Sequence, residues 1–399
     1  MRSRHLITLD APTRARDVAP FLAHLAAALD GTGPAVLPLP SGPQPLRDSL
    51  IDAADLGQTL ERDDVALVVA TSGSTGRPKL AMLTAAAVRA SAERTLEAIG
   101  GPCVWTVALP ISSVGGLQML VRSLAAGTQP ELVDLTRPFT PAGFLASVTS
   151  GRATDGVGRR ATSLVPTQLY RLLDDDDARS ALVAFDAVLV GGAAAAPDLV
   201  ARARDQGVRA ITTYGMTETS GGCVYDGIPL PGVGVRIDAL GHIVISGPTV
   251  FCGYRGDPQL TAEVLRASEL HTQDLGELDD GRLTVLGRGD DVVVSGGVNV
   301  SCLQVEAVLL DHPQVDQAIV VGVDDTQWGQ RVVAVVVPVE GHPPPTTGQL
   351  RSFAADRLRP ADLPRTVITV DRLPVLTSGK PDRLAVRTLA SGPSSDGPH

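Results

Sequence analysis

Between residues 65 and 215 the chain alternates short apolar runs with longer amphipathic stretches. Residues 65–70, 104–109, 163–165, 187–190 and 210–213 are short and apolar, and predict strands. Residues 84–99, 115–126, 166–173 and 197–206 predict helices. Such alternation predicts a layered α/β domain with a largely parallel sheet, whose ligands sit beyond the carboxyl ends of the strands. From about residue 228 to 287 the texture changes. Gly and Pro punctuate short alternating segments at 233–237, 242–246 and 283–286, the pattern of a β-rich subdomain. A polar break, Gly287-Arg288-Gly289-Asp290-Asp291, follows. Beyond it come a helical stretch (303–310), two strands (318–323, 332–337), a second helix (348–358) and a strand (367–370). That set suits a small α+β domain of roughly 100 residues. The expected organisation is an N-terminal domain at 1–287, a hinge at 288–291, a C-terminal lid at 292–390 and a disordered tail at 391–399.

Composition narrows the classes. The 399 residues suffice for two or three domains, and 44% hydrophobic content supports sizeable cores. Aromatics are only 3%, so Ala, Val and Leu must fill those cores. The net charge of −10 argues against a nucleic-acid binder, which carries a basic face. An anionic ligand must then be held by a local cluster of cations. Cys103, Cys223, Cys252 and Cys302 are far apart, without metal or redox spacing, and read as buried small hydrophobes in a reducing compartment. The first residues do not read as a signal peptide, and no apolar run approaches the roughly 20 residues of a membrane span. The expectation is a soluble cytoplasmic protein without membrane insertion. The acidic run Asp174–Asp177 reads as a solvated loop, with metal binding as the lesser alternative.

The richest local signal is Thr71-Ser72-Gly73-Ser74-Thr75-Gly76-Arg77-Pro78-Lys79, directly after the apolar run 65–70. Glycines expose backbone N–H groups, hydroxyls add donors, and Arg77 and Lys79 add positive charge. A polyphosphate is stabilised in that environment. The spacing is not the P-loop pattern, because Lys79 lies three residues after Gly76 and is followed by Leu80.

Further signals follow in a fixed order: Leu109-Pro110-Ile111 with Gly115-Gly116-Leu117, Gly191-Gly192-Ala193, Tyr214-Gly215-Met216-Thr217-Glu218, Gly247-Pro248 with Gly253-Tyr254, His271-Thr272-Gln273-Asp274, the break at 287–291, and Leu373-Pro374 leading to Thr377-Ser378-Gly379-Lys380. This series resembles the acyl-adenylate-forming superfamily of acyl-CoA synthetases, adenylation domains and luciferases, over about residues 65–385. The resemblance implies a large N-terminal domain with a small mobile C-terminal one, and ATP, Mg²⁺ and CoA as cofactors and co-substrates. It implies that the 71–79 loop holds the β- and γ-phosphates, that Gly191, Gly192 and Ala193 lie along the adenine, and that Tyr214 stacks on it. Thr217 would donate to the α-phosphate, Glu218 would hold Mg²⁺, and Asp274 with Arg288 would take the ribose. Lys380 matches the catalytic lysine, whose ammonium stabilises charge on the phosphoryl oxygens. Asp290 matches the hinge residue, and the Gly296-Gly297 turn the passage for the pantetheine arm of CoA.

The acid is read from two segments. Ser163-Leu164-Val165-Pro166-Thr167-Gln168-Leu169 with Leu172-Leu173, and Gly116-Leu117-Gln118-Met119-Leu120-Val121-Arg122, look like those of o-succinylbenzoate–CoA ligases of menaquinone biosynthesis. Ser112, Ser113, Gln118 and Arg122 are candidate donors to the second carboxylate of such an acid; for Arg122 a surface cation is the competing reading. Relatives usually carry a His after the Leu-Pro, where this chain has Ser112 and Ser113. Another small aromatic or aliphatic acid, or an adenylation enzyme serving a carrier protein, are the alternatives within the class. A catalytically idle nucleotide-binding regulator is the alternative outside it. The partners implied are the acid, ATP and CoA, with a homodimer among the arrangements that such relatives adopt.

Overall fold

The computed structural model describes residues 4–71, 78–150, 158–193, 195, 197–288, 292–339, 341–374 and 382–392. In chain order, the first elements are β1 (Leu6–Asp10), α1 (Val18–Leu29), β2 (Ala35–Leu39), α2 (Gln44–Ala54), β3 (Val65–Thr71), β4 (Lys79–Thr84), α3 (Ala85–Ala98) and β5 (Val104–Val107). Then come α4 (Val114–Ala126), β6 (Glu131–Leu132), α5 (Pro141–Ser150), β7 (Arg160–Leu164), α6 (Pro166–Leu173), α7 (Asp176–Val183), β8 (Ala187–Val190), α8 (Pro197–Asp205) and β9 (Ala210–Met216). Short strands follow: β10 (Gly221–Tyr225), β11 (Ile228–Pro229), β12 (Gly234–Ile237), β13 (His242–Ser246) and β14 (Gly253–Tyr254). Next are α9 (Pro258–Val264), β15 (Leu265–Arg266), β16 (Glu269–Asp279) and β17 (Arg282–Arg288). The last are β18 (Val292–Ser295), β19 (Val298–Ser301), α10 (Cys302–Leu310), β20 (Val315–Asp325), β21 (Gly329–Pro338), α11 (Thr347–Ala354), β22 (Thr366–Thr369) and α12 (Arg383–Ala390).

Two compact units make up the chain: Met1–Arg236, Val244–Thr272 and Leu278–Leu283 form one, and Ile237–Ile243, Gln273–Glu277 and Thr284–His399 the other. The first unit holds two sheets. One runs β1-β2-β3-β4-β14 and the other β11-β10-β9-β8-β7-β5-β6. The second sheet is parallel from β6 to β9, as the alternation predicts, and antiparallel at β10 and β11. Its strand β8 is buried at every position, the continuous apolar texture of a strand covered on both faces. Leu169, Leu172 and Leu173 of α6 and Phe144 of α5 pack on it with Phe185, Val188 and Val190. Strands β12, β13, β15, β16 and β17 form a small third sheet. The second unit is centred on the sheet β19-β18-β21-β20 with β22, under α10 and α11, an α+β arrangement.

Three local readings change. Residues 79–83, outside the predicted elements, form most of β4, which returns antiparallel to β3 with Thr71 opposite Lys79. Residues 80–83 are a continuous apolar run, buried at every position, and such a run does not by itself separate a strand from the start of the helix behind it. Asp174–Asp177 is largely solvent-exposed, as expected, but it forms the junction of α6 and α7 rather than a loop. Asp175 caps α7 by accepting from Ala178 N at 2.9 Å, and Asp174 pairs with Arg202 at 2.6 Å. Residues 269–279 form one long strand, so Asp274 is a strand residue.

Candidate active site

The carboxyl ends of β8 and β9 place one wall. Gly191 donates its N–H to Leu164 O at 3.1 Å. A Cβ on Gly191 would lie 2.2 Å from Thr213 Oγ1, so only glycine lets the exit of β8 lie this close to β9. Gly192 follows with φ +77°. Tyr214 is half-buried on β9, opposite Val224 of β10. The strand then tightens into the 3-10 turn Thr217–Thr219, and Ser220 leaves it with φ +54°. Thr219 braces this turn: its Oγ1 accepts from Met216 N at 2.9 Å and donates to Gly221 O at 2.7 Å.

Glu218 is the carboxylate that this turn presents. Tyr254 donates its hydroxyl to Glu218 Oε1 at 2.6 Å, and Phe251 donates its N–H to Glu218 O at 2.8 Å. Tyr254 lies on β14, opposite Ala81 of β4, and Arg255 N reaches Leu80 O at 2.8 Å. The turn therefore packs against β3 and β4, close to where β4 begins at Lys79. Thr71 and Lys79, the ends of the hydroxyl-rich loop, come from the first sheet; Gly191, Gly192, Ala193, Tyr214, Thr217 and Glu218 come from the second. Ser72, Gly73, Ser74, Thr75 and Gly76 lie outside the described residues. Among the described residues no group of three or more His, Cys, Asp or Glu could hold a metal by itself. A single carboxylate oxygen fits Mg²⁺ that arrives on a triphosphate, since that ion keeps waters and binds through one or two carboxylates plus phosphates. Cys223, next to this turn on β10, is buried, and that burial pushes its thiol up to about 12.

Helix α4 receives the candidates for acid recognition. Ser112 and Ser113 precede it, and Ser113 Oγ donates to Pro110 O at 2.7 Å. Ser112 also lines a cavity of about 180 Å³ with Ile111, Gln168, Leu135, Phe139 and Arg137. Gln118 and Arg122 point elsewhere. Gln118 is 2% exposed and donates Nε2 to Ser220 O at 2.7 Å. Arg122 is 3% exposed, not a surface cation; its guanidinium lies 4.9 Å over the Trp105 ring, and burial pushes its pKa down. Sequence reasoning missed Tyr254, Ser91 and Ser220. The Gly253-Tyr254 pair was visible in the motif order, but its partner Glu218 is 36 residues away.

In the second unit, Asp274 Oδ1 faces Arg288 Nε at 3.9 Å, with Arg288 also donating to Gln273 Oε1 at 3.1 Å. Neighbouring strands β16 and β17 thus bring the two ribose candidates together. Gly296 and Gly297 form the two-residue turn between β18 and β19, with φ +59° and +80°. Positive φ at both positions is the geometry of a type I′ hairpin, which selects glycine. Asp290 and Lys380 lie outside the described residues. Beyond Lys380, Asp382 N donates to Pro374 O at 2.9 Å, and Arg383 pairs with the buried Glu306 at 2.9 Å.

With this geometry in view, comparison with known proteins is specific. The model of the AMP-binding enzyme family matches residues 3–255, and that of the AMP-binding enzyme C-terminal domain matches residues 304–380. A probable 2-succinylbenzoate–CoA ligase of Mycobacterium tuberculosis is 43% identical over 369 residues, covering 92% of this chain and 94% of that protein. A feruloyl-CoA synthase of Amycolatopsis is 35% identical over 354 residues, covering 80% of this chain and 68% of that one. The solved o-succinylbenzoate CoA synthetase of Bacillus subtilis, in complex with its acyl-adenylate intermediate, superposes with a TM-score of 0.73 at 25% identity, over 100% of this chain and 90% of that one.

Proposed function

This chain belongs to the AMP-binding enzyme family, and from that premise we propose that it is an AMP-forming ligase joining 2-succinylbenzoate to coenzyme A in menaquinone biosynthesis. The observation that carries the acid is the 43% identity, spread over 92% of the chain, with the M. tuberculosis ligase. The o-succinylbenzoate CoA synthetase fold, shared along the whole chain, supports it. Four free cysteines favour a reducing cytoplasm as its place of action.

The residues divide the work in two steps. In the first, a carboxylate oxygen of the acid attacks the α-phosphorus of ATP and the bond to pyrophosphate breaks. The 71–79 loop holds the β- and γ-phosphates, the backbone at Gly191–Ala193 and the ring of Tyr214 hold the adenine, and Asp274 with Arg288 takes the ribose. Thr217 donates to the α-phosphate and Lys380 spreads its charge there as negative charge builds. Glu218, oriented by Tyr254, would hold Mg²⁺, which would supply neutralisation of the phosphate charge. In the second step, the CoA thiolate attacks the acyl carbonyl carbon and AMP leaves. Gly296 and Gly297 border its approach, and residues about Asp290 act as the hinge between the steps.

Ser112 and Ser113, where relatives usually have His, favour one competing reading: the same chemistry on another small aromatic acid. A panel of acids followed by pyrophosphate release decides between them. 2-Succinylbenzoate should give the highest kcat/KM, with AMP released only when CoA is added; a cinnamic or benzoic acid outcompeting it would replace the substrate and keep the class.

A further inference from the structure

Ser220 carries one backbone carbonyl that receives two buried side-chain donors from two different helices. Ser91 Oγ of α3 reaches it at 2.9 Å and Gln118 Nε2 of α4 at 2.7 Å. All three side chains are buried, with Ser91 and Ser220 at 0% exposure. Ser220 also ties the turn from its own side chain, donating Oγ to Thr249 O at 2.9 Å, and its N–H to Thr217 O at 3.0 Å. Glu218 lies two residues before this pinned carbonyl.

The amide of Gln118 is an expensive way to fill that space. Its Oε1 is buried and has no hydrogen-bond partner in the structure. Burying an amide with half of its capacity unmet costs free energy that an apolar side chain of the same length would not incur. Residues that break a local rule of this kind cluster at functional sites. The conformation to be held is itself a demanding one: Ser220 has φ +54° and Gly221 φ +106° in succession. Without the two donors, this left-handed step could relax and swing the Glu218 carboxylate away from Tyr254.

We propose that Gln118, together with Ser91, is a positioning residue for the metal-binding carboxylate: the two donors clamp the Ser220 carbonyl and hold the turn that presents Glu218. Gln118 thereby acts on the ATP side of the site and not as a donor to the acid. The proposal rests on the reading of Glu218 as the Mg²⁺ ligand.

The test is calorimetric titration of the full-length protein with ATP, with magnesium and with EDTA, for wild type, Glu218→Gln, Gln118→Met, Ser91→Ala and the double variant Ser91→Ala/Gln118→Met. Wild type should bind ATP more tightly with magnesium, and Glu218→Gln should lose that gain. Gln118→Met should lose about five- to tenfold of it while the affinity in EDTA stays unchanged, as expected for one charge-orienting hydrogen bond. The double variant should lose more than the product of the single losses, because the carbonyl then keeps neither donor. Formation of the acyl-adenylate should fall in parallel, while thioester formation from pre-made acyl-adenylate should not. Gln118→Met that keeps the full magnesium gain, or that weakens ATP equally with and without metal, overturns the proposal. If Gln118→Met does not fold, Ser91→Ala carries the same comparison from the other helix. A wild type and Glu218→Gln that bind ATP alike would instead remove the metal reading, and the clamp's role with it.

Discussion

Lys380 and Glu218 are the two charged groups on which the proposed chemistry turns, and they are legible to different degrees. Both stand in motifs, so their identity follows from the sequence. Only Glu218 gains an environment from the structure, through the Tyr254 hydroxyl at 2.6 Å. Lys380→Ala should lower adenylate formation by about 100-fold or more, the scale of losing one preorganised charge stabiliser. It should leave thioester formation from pre-made acyl-adenylate intact; rapid-quench measurement of both half-reactions tests this, and equal loss of both would refute the division of labour. A second residue-scale prediction concerns acid. Burial raises the Glu61 carboxyl, but the Gly256 N–H and the Arg255 guanidinium outweigh it and hold it below its ordinary 4.5. The unfolded chain then takes up the proton first, so this contribution is complete above the unfolded value and is lost as pH falls through the lower folded one. Glu61→Gln should flatten that part of the acid limb when melting temperature is followed below pH 4.5; an unchanged acid limb would refute the role.

At the level of elements, close backbone approach decides the site more than side-chain chemistry does. A Cβ on Gly215 would fall 2.2 Å from Gly221 O across the β9–β10 pair. Gly215→Ala must therefore separate these strands next to Glu218. We expect a loss of about 1–3 kcal/mol in stability by overpacking, and a larger relative loss of adenylation than of thioester formation. Chemical denaturation paired with the two half-reaction assays reads both; a variant of full stability and activity would show that the strands can yield. The motif Tyr214-Gly215-Met216 marks this glycine in the sequence, but not the reason for it. The physical reason lies across the hairpin, in a carbonyl six residues away. The same holds for the Gly296-Gly297 turn, where hairpin geometry alone already demands glycine.

On the scale of the whole molecule, the two proposed half-reactions make Asp290 the candidate hinge. Proline there removes an N–H and restricts φ. Asp290→Pro should slow one half-reaction by about tenfold or more, as expected when a hinge cannot absorb its φ/ψ change, and leave the other near normal. Single-turnover measurements of each step decide it, and two unaffected steps would move the pivot elsewhere. Among the described residues no helix is long and apolar enough to cross a membrane.

What the sequence determined by itself was the alternation of elements and the ordered motifs. Strands 187–190 and 210–213, and helices 115–126 and 166–173, announced themselves because local periodicity records which face of an element is buried. The ordered glycines, hydroxyls and charges announced the family, because backbone contact with phosphate leaves a local trace. Tertiary structure alone decided what each buried face meets. Gln118 and Arg122 read as donors to an acid, yet one holds a carbonyl 102 residues away and the other lies over Trp105. Asp274 was legible only as part of a motif, and a long strand sets it beside Arg288. Sheet order brings such partners together. It depends on long-range pairing, and that leaves no periodic mark in the chain.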